Sequence, residues 1–497
     1  MEQSLAGRQL RPGFVALAHD PTDGRVWLTA PPLGEPFLHA VALRAGLGSN
    51  DVGLDRGQLS AQRVLVPERV GSTVQLVAPN LAYRVDSADP AVRAAGREAF
   101  AESIVAALPI VGEDADGTLL LDGTDFVLED AHGVARSLRR SGQGSFSLAR
   151  DRSRVVEGSL ASFADNAHLE VRQTFAGDAP GAEVRSTTPE PSAVTLTIRH
   201  HFARLPAEPL PARHADPRSG YFTTSWRALD AAPDAPDRVD VIARHRLPAD
   251  GSPIVYYLDR GAPEPMRTAL LEGARYWERA FADAGLPGRF KVELLPEGAD
   301  IHDLRYNTIQ WVFRSTRGWS YGNSIVDPRS GEILKGHVTL GALRVRQDVR
   351  LMEGLLAPYS GEQTDPRAVD AALARLRQLA AHEIGHTLGL RHHFAASTAG
   401  RASVMDYPPP RVELGPDGAP SVADAYRDGA GEWDALAIRY GYAEFEPRAG
   451  ETAAEAEARG LADVLAEVES RGLALLSDAD ASAGIHPNAH RWDDGVD

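Results

Sequence analysis

Residues 382–392 contain three histidines, a glutamate and a glycine spaced as H-E-x-x-H-x-x-G-x-x-H. His382 and His386 are four residues apart, so on a helix their side chains lie on one face, one turn apart. Two imidazole rings at this spacing can each place a nitrogen about 2.0–2.1 Å from the same zinc ion. The spacing therefore predicts a helix that supplies two ligands to one metal ion.

The rest of this run completes a possible site. Glu383 follows the first histidine, so its carboxylate points to the side of the metal, where it can take a proton from a bound water molecule. Gly389 is predicted to end the helix, because glycine adopts the left-handed conformation without a Cβ penalty. The chain then turns back, and His392 becomes the third ligand. Three protein ligands leave a fourth position for water, which predicts one catalytic zinc ion.

Other histidines compete with this interpretation. A turn that is one residue longer would select His393 in place of His392, although the H-x-x-G-x-x-H spacing favours His392. His200 and His201 form a second pair, but adjacent residues on a strand point to opposite faces. We therefore expect that pair to be structural.

Residues 382–392, together with Ser-Val-Met-Asp-Tyr at 403–407, resemble the metzincin clan of zinc proteases, in which a methionine turn follows the ligands. More of the chain resembles a bacterial family of large zinc-dependent metalloproteases with a Met-zincin catalytic domain. The segments that carry this wider resemblance are 46–50, 53–57, 215–222, 253–257, 327–333 and 431–434. The resemblance extends over nearly the whole chain and implies a zinc protease.

The resemblance also implies roles for single residues. Met405 would form a packing floor beneath the metal without binding it; the alternative is an ordinary core methionine. Tyr407 would reach the zinc ion or the tetrahedral intermediate, unless it is an ordinary packed tyrosine. Relatives are expected to carry asparagine at the place of His393, to continue beyond Asp497 with more helical sequence, and to be exported.

The pattern of elements predicts an α+β protein in four parts. Residues 1–202 are predicted to be a β-rich scaffold or substrate-presenting domain, because short apolar stretches alternate with Gly, Asp and Pro turns. Residues 203–250, rich in Pro, Ala and Asp, would connect it to a metzincin-like zinc catalytic domain at 251–410, with a twisted mixed sheet, an active-site helix and a Met-turn. Residues 411–497 are predicted to be mainly helical.

Individual elements follow from hydrophobic periodicity. The clearest helix of the N-terminal part is predicted over residues 90–108. In the catalytic part, strands are predicted at 254–258, 290–295, 308–313 and 332–340, and helices at 264–285 and 433–440. Strand 332–340 is predicted to be the sheet edge above the cleft, where an extended substrate would add its backbone. The residues predicted to bind that substrate are Gly336, His337, Val338, Thr339 and Leu340.

Composition limits the remaining possibilities. The chain has 497 residues, a formal net charge of -17 and no cysteine. The negative charge argues against a nucleic-acid partner, and without cysteine a metal ion needs histidine or carboxylate ligands. No apolar run approaches the ~18 residues of a membrane span. Residues 1–20 show no signal peptide, so the sequence as written predicts a cytoplasmic protein, whereas the resemblance implies a secreted or periplasmic one. The oligomeric state is left open.

These observations predict a zinc-dependent endopeptidase that acts on a peptide or protein substrate, with Glu383 as general base. Two alternatives keep the same metal site: an inactive zinc-binding interaction protein, and a zinc amidase that acts on cell-wall peptides. A serine hydrolase is a third alternative, because residues 318–322 read G-W-S-Y-G around Ser320. A nucleophile elbow needs a helix after the serine, and the Asp-Pro and Gly turns that follow argue against one.

Overall fold

The computed structural model describes Leu5 and residues 8–316, 318–356, 364–481 and 486–492. Its N-terminal part is rich in β-structure, as predicted. The strands are β1 (Leu17–His19), β2 (Val26–Thr29), β3 (Phe37–Ala45), β4 (Leu59–Val70), β5 (Thr73–Ala78), β6 (Tyr83–Arg84), β7 (Ser103–Glu113), β8 (Leu119–Asp122), β9 (Ser145–Val155), β10 (Ala161–Ser162), β11 (Asn166–Asp178) and β12 (Ala193–Arg204). The helices among them are α1 (Pro90–Glu98), α2 (Thr124–Val127), α3 (Val134–Arg140) and α4 (Ala182–Thr187).

One antiparallel sheet contains all these strands except β6. Its order is β1-β2-β8-β7-β5-β4-β3-β12-β11-β10, and β9 also pairs with β11. The sheet curves until its two ends meet: the Phe14 N–H donates to the Phe163 carbonyl, and the Ser162 hydroxyl donates to the Val15 carbonyl, both at 2.7 Å. The concave side encloses a core of Leu, Val and Phe side chains to which α2 and α3 contribute.

The predicted helix over residues 90–108 is wrong beyond its first half. The helix α1 ends at Glu98, and the apolar residues that follow lie in β7, between β5 and β8. A short run of apolar residues such as Ile104 to Leu108 fits a helix or a strand equally well by periodicity. Pairing with two neighbouring strands decides the outcome here, because it satisfies the backbone of β7 on both sides.

The connecting segment forms a small sheet of its own. It contains β13 (Thr223–Ala228) and β14 (Arg238–Ile242), which pair in the order β14-β13-β6. The segment is therefore fixed to the N-terminal part through β6.

The C-terminal half begins with a mixture of strands and helices. Among the described residues of 411–497, the segment predicted to be mainly helical, only Glu432–Tyr442 and Ala453–Ser470 form helices. Its strands are β15 (Ile254–Leu258), β16 (Phe290–Leu294), β17 (Asn307–Val312), β18 (Tyr321–Asp327), β19 (Glu332–Gly341), β20 (Glu413–Leu414) and β21 (Pro420–Ser421). Its helices are α5 (Met266–Ala274), α6 (Tyr276–Asp283), α7 (Leu343–Leu356), α8 (Pro366–Thr387), α9 (Glu432–Tyr442) and α10 (Ala453–Ser470). The predicted mixture of helix and strand is confirmed, and among the described residues no helix is both long and apolar enough to cross a membrane.

The second large sheet corrects the predicted edge strand. Its order is β16-β15-β17-β19-β18, and the strands are parallel except for β18, which runs antiparallel to β19. β19 is therefore interior, and the edge next to it is β18. The sequence of β19 is buried almost throughout, as expected of a strand covered on both faces. β18 escapes recognition because Gly322, Asn323 and Ser324 have low strand propensity.

The residues of β19 that were predicted to bind substrate are buried on both faces of the sheet. Val338 and Leu340 belong to the core beneath the helices, and a Cβ on Gly336 would lie 3.0 Å from the Thr387 Cβ of α8. His337 points the other way, with its Nδ1 2.8 Å from the Thr308 hydroxyl. All five positions in β19 are thus parts of the core, and the prediction that they form the substrate-binding edge is wrong.

The N-terminal sheet packs against the second sheet on the side away from α8. Ile325 of β18 lies in an apolar cluster with Leu38 and Val64. A buried ion pair also joins the two parts: the Arg314 Nε donates to the Asp55 carboxylate at 2.8 Å, and both side chains are 1% exposed.

One side chain of the N-terminal part also reaches the edge of β18. The Gln62 amide donates to the Ser324 carbonyl at 2.9 Å and accepts from the Val326 N–H at 3.2 Å. These are the two hydrogen bonds that a residue of a neighbouring strand would make.

Candidate metal centre

The helix α8 begins and ends with residues suited to those positions. Asp365 caps its start by accepting a hydrogen bond from the Arg367 N–H at 2.9 Å, and Pro366 occupies the first turn. At the other end the Leu390 N–H donates back to the Gly385 carbonyl at 2.9 Å, and Gly389 has a φ of 103°. A Cβ on Gly389 would overlap the carbonyl oxygen of Ala243. Both backbone angle and space therefore require glycine where the chain turns towards His392.

Three histidines of this region converge. One ring nitrogen from each of His382, His386 and His392 lies within 4.8 Å of the others. The Nδ1 atoms have partners: the Val404 carbonyl at 2.7 Å for His382 and the Leu390 carbonyl at 2.8 Å for His386. The Nδ1 of His392 lies 2.6 Å from the Asp478 carboxylate.

The opposite nitrogens are suited to bind a metal ion. Among the described residues, the Nε2 atoms of His382 and His392 are buried without a hydrogen-bond partner. Burial, aided by the neighbouring histidines, lowers the pKa of His382 well below its usual value and lowers the pKa of His386 to about 4. Both rings are thus neutral at pH 7, which is the form that binds metal. The donor set of three imidazoles fits zinc.

Glu383 lies in a desolvated position beside His382, His386 and His392, which together form the histidine triad. Its side chain is buried, and this burial raises the pKa of the carboxyl to about 8. Arg375, Arg344 and the backbone N–H of Gly322 oppose the increase, because each favours the ionised form. A carboxyl group with a pKa near neutrality can both accept and return a proton at pH 7.

Met405 packs under α8 at the level of the triad. A Cβ on Gly385 would overlap the Met405 Sδ and lie 2.8 Å from the Trp277 ring. Because Gly385 has no side chain, the turn that carries Met405 comes close to the helix. Met405 is fully buried and belongs to the main core rather than to the group of convergent nitrogens.

The turn is held by an aspartate that the sequence did not single out for a role. Asp434 of α9 accepts hydrogen bonds from the Ser403 hydroxyl at 2.6 Å, the Val404 N–H at 2.9 Å and the Gly431 N–H at 2.6 Å. Burial raises the pKa of Asp434 to about 6, although these hydrogen bonds counter it. Since the Val404 carbonyl orients His382, Asp434 supports the metal centre through the turn.

Tyr407 borders the triad on one side. Its ring centre is 4.5 Å from that of His392 and 4.9 Å from that of His382. On its other face it stacks on Trp492 at 5.3 Å. Burial raises the pKa of the phenol to about 12, so it keeps its proton at pH 7.

The competing residues lie elsewhere. His393 packs on Trp433, with ring centres 4.7 Å apart, and is not part of the converging group. Ser320 is followed by strand β18 and not by a helix, so the nucleophile elbow has no structural basis. His200 is 3.1 Å from His39, whereas the His201 ring lies 6.0 Å from that of His168, and the two side chains point to opposite faces of β12.

Sequence reasoning also missed Asp478 and Trp492. Both lie after α10, in a part of the chain without regular secondary structure. Asp478 is 86 residues from His392 in the sequence, and no periodic pattern or motif spacing links them.

Comparison with known proteins adds two family matches. Residues 364–497 match the family described as Met-zincin, and residues 57–249 match a family described as Domain of unknown function (DUF5117). Comparison with curated proteins gives no match. The first match covers the three histidines, Glu383, Met405 and Tyr407, and it confirms the resemblance drawn from the sequence. Residues 364–497 are therefore similar to the Met-zincin family, which supports a metalloprotease of the metzincin type.

Proposed function

We propose that the protein is a zinc-dependent endopeptidase. The observation that carries the proposal is the convergence of three imidazole nitrogens next to a buried glutamate on the same helix. His382, His386 and His392 would hold the ion through Nε2. A bound zinc ion polarises a water molecule and lowers its pKa towards about 7.

Glu383 would act as the general base. Its carboxylate accepts a proton from the attacking water and passes it to the amine that leaves. Burial supports this role, because a desolvated carboxylate takes up a proton more readily than an exposed one. Retention of a buried glutamate that is not one of the three convergent ligands argues against a purely structural zinc site.

Tyr407 would stabilise the negative charge that develops on the carbonyl oxygen of the scissile bond. The ring lies between His392 and Trp492 at the border of the triad, and its hydroxyl remains protonated at pH 7. A donor held rigidly at the reacting carbonyl lowers the barrier, because it needs no reorganisation during the reaction.

The substrate would pair with β18, the edge strand. Gly322 of this strand lies against α8, where a Cβ would overlap the Glu383 carbonyl oxygen. Hydrogen-bonding groups alternate sides along a strand. The Ser324 carbonyl and the Val326 N–H point away from β19 towards Gln62. The backbone N–H and carbonyl of Gly322 therefore also point away from β19. An extended peptide that adds to this edge passes directly beside the proposed base.

Metal content and peptide cleavage test the proposal in the wild type and in Glu383→Gln, with Glu297→Gln as control. Glu297 is an exposed glutamate in a loop, so its substitution removes the same charge away from the site. We expect one equivalent of zinc in all three proteins. A quenched unfolded-protein substrate should be cleaved by the wild type and by Glu297→Gln, with at least a ~1,000-fold loss in Glu383→Gln.

Other outcomes would contradict the proposal. Cleavage of cell-wall muropeptides without cleavage of proteins would identify an amidase. Bound zinc without hydrolysis of either substrate would identify an inactive zinc-binding protein. Absence of zinc from the wild type would overturn the metal site itself.

A further inference from the structure

The chain beyond α10 returns to the metal centre and forms part of its wall. The Phe394 N–H donates to the Leu476 carbonyl at 2.8 Å, and the Trp492 N–H donates to the Tyr407 carbonyl at 3.1 Å. Arg491 lies over the Phe394 ring at 5.5 Å. This segment therefore contacts the stretch after Gly389 at several points, close to His392.

Asp478 makes the polar contact of this segment with a candidate ligand. Its Oδ2 lies 2.6 Å from the Nδ1 of His392, and its Oδ1 accepts from the Arg491 guanidinium at 3.0 Å. Arg491 thus fixes the orientation of the carboxylate while the other oxygen faces the imidazole. The Asp478 side chain is 49% exposed, so its position depends on these two contacts more than on packing.

His392 differs from the other two histidines in how its ring is held. His382 and His386 lie on α8, and the partners of their Nδ1 atoms are backbone carbonyls fixed by the turn at 403–405 and by the helix end. His392 lies outside the helix, after the turn at Gly389. Its Nδ1 partner is a side chain from a distant part of the sequence.

We propose that Asp478 is a positioning residue for the third metal ligand. Its carboxylate holds the proton on Nδ1 of His392, so that the Nε2 lone pair faces the metal, and it makes the imidazole a stronger donor. Carboxylates that hydrogen-bond to a metal-bound histidine act in this way, and their loss typically weakens metal binding about 10–100-fold. The proposal rests on the metal site of the proposed function and assigns part of it to the C-terminal segment.

Zinc affinity measured by competition with a chromogenic chelator tests this proposal. Asp478→Asn keeps an oxygen that can accept from Nδ1 but removes the charge, and Asp478→Ala removes both. We expect zinc binding to weaken about tenfold for Asn and up to about a hundredfold for Ala. Asp463→Asn, at an exposed position on α10, is the matched control and should bind zinc like the wild type.

The thermal midpoint of the metal-free proteins separates positioning from a structural role. A positioning residue leaves that midpoint unchanged while zinc affinity falls, whereas a structural residue lowers both in parallel. Zinc affinity within twofold of the wild type in Asp478→Ala would overturn the proposal, and so would a parallel loss of metal-free stability. If the wild type bound no zinc, the proposed function would fail and not this inference alone.

Discussion

Each of the three histidines has one ring nitrogen held by a neighbouring group of the protein, and this contact sets the direction of the other nitrogen. Val404, Leu390 and Asp478 provide these contacts. A site arranged in advance binds more tightly, because less ordering remains to be done on binding. Glu383 is likewise buried beside the three histidines.

Removal of the Tyr407 hydroxyl tests its proposed role. In Tyr407→Phe the ring still stacks on Trp492, so the packing is retained. We expect kcat to fall about a hundredfold, with KM changed less than about threefold and zinc content unchanged. Steady-state kinetics on a quenched peptide give both parameters. A kcat equal to that of the wild type would reduce Tyr407 to an ordinary packed residue.

The candidate metal centre is assembled from one helix and two connecting segments. α8 supplies His382, Glu383 and His386, and the turn at Gly389 brings His392 back beside them. A second turn, held by Asp434, places Met405 against Gly385 of the helix. The geometry of the site therefore depends on two close contacts that only glycine permits: that of Gly385 with Met405, and that of Gly389, just beyond α8, with the Ala243 carbonyl.

Alanine in place of Gly389 tests the second of these contacts. The substitution forces a non-glycine residue into a positive φ and a Cβ into the Ala243 carbonyl. We expect a loss of about 2–4 kcal/mol in the free energy of unfolding, from backbone strain and overpacking together. Gly450 also has a positive φ but has open space around it, so Gly450→Ala should cost only about 1–2 kcal/mol.

Urea denaturation of the two metal-free variants gives this comparison. Equal losses in Gly389→Ala and Gly450→Ala would mean that the contact with Ala243 is unimportant. A larger loss for Gly389→Ala, with weaker zinc binding, would tie the close approach to the position of His392.

The sequence predicts the local parts of this arrangement better than the distant ones. The cap at Asp365, the spacing of His382 and His386 and the turn at Gly389 all depend on neighbours within a few residues. The contact of Asp478 with His392 depends on where the chain goes after α10, which no spacing encodes. The sequence does not predict the edge strand β18, because its polar and glycine residues have low strand propensity. It predicts β19 at the edge of the sheet because the pattern does not show that both faces of β19 are buried.

A buried lysine of the second sheet lies close to charged groups of both halves of the molecule. Lys335 of β19 is fully buried, and its ammonium donates to the carbonyls of Asp303 at 2.8 Å and of Tyr306. Burial lowers the pKa of Lys335 to about 7, although Asp303 and Asp300 oppose this change. A charged group in such a position costs free energy unless it is well paired, so the stability of the fold should depend on pH.

Lys335 predicts a specific pH dependence of stability. The unfolded chain keeps the lysine protonated up to about pH 10.5, whereas the folded chain does so only up to about pH 7. Between these values unfolding takes up a proton, so the free energy of unfolding rises with pH by up to ~1.4 kcal/mol per unit. Below pH 7 both states are protonated, and Lys335 contributes no slope.

Lys335→Met should remove this part of the pH dependence. Urea unfolding at pH 6, 8 and 9.5 would show the wild type gaining stability relative to the variant only above about pH 7. Lys291 is the only other lysine of the chain and is exposed on β16, so Lys291→Met is the matched control. If the free energy of unfolding changed with pH in the same way in the wild type and in Lys335→Met, Lys335 would have the same pKa in the folded and the unfolded chain.

Gln62, a residue of the N-terminal part, limits how much of β18 is free to pair with a peptide. Its amide already occupies the Ser324 carbonyl and the Val326 N–H, so the free edge of β18 is confined to its first residues, beside Glu383. A peptide running antiparallel to β18 would meet Gln62 shortly before the bond to be cut. If the substrate pairs with β18 as proposed, its backbone on the amino-terminal side of that bond must therefore leave the sheet at Gln62.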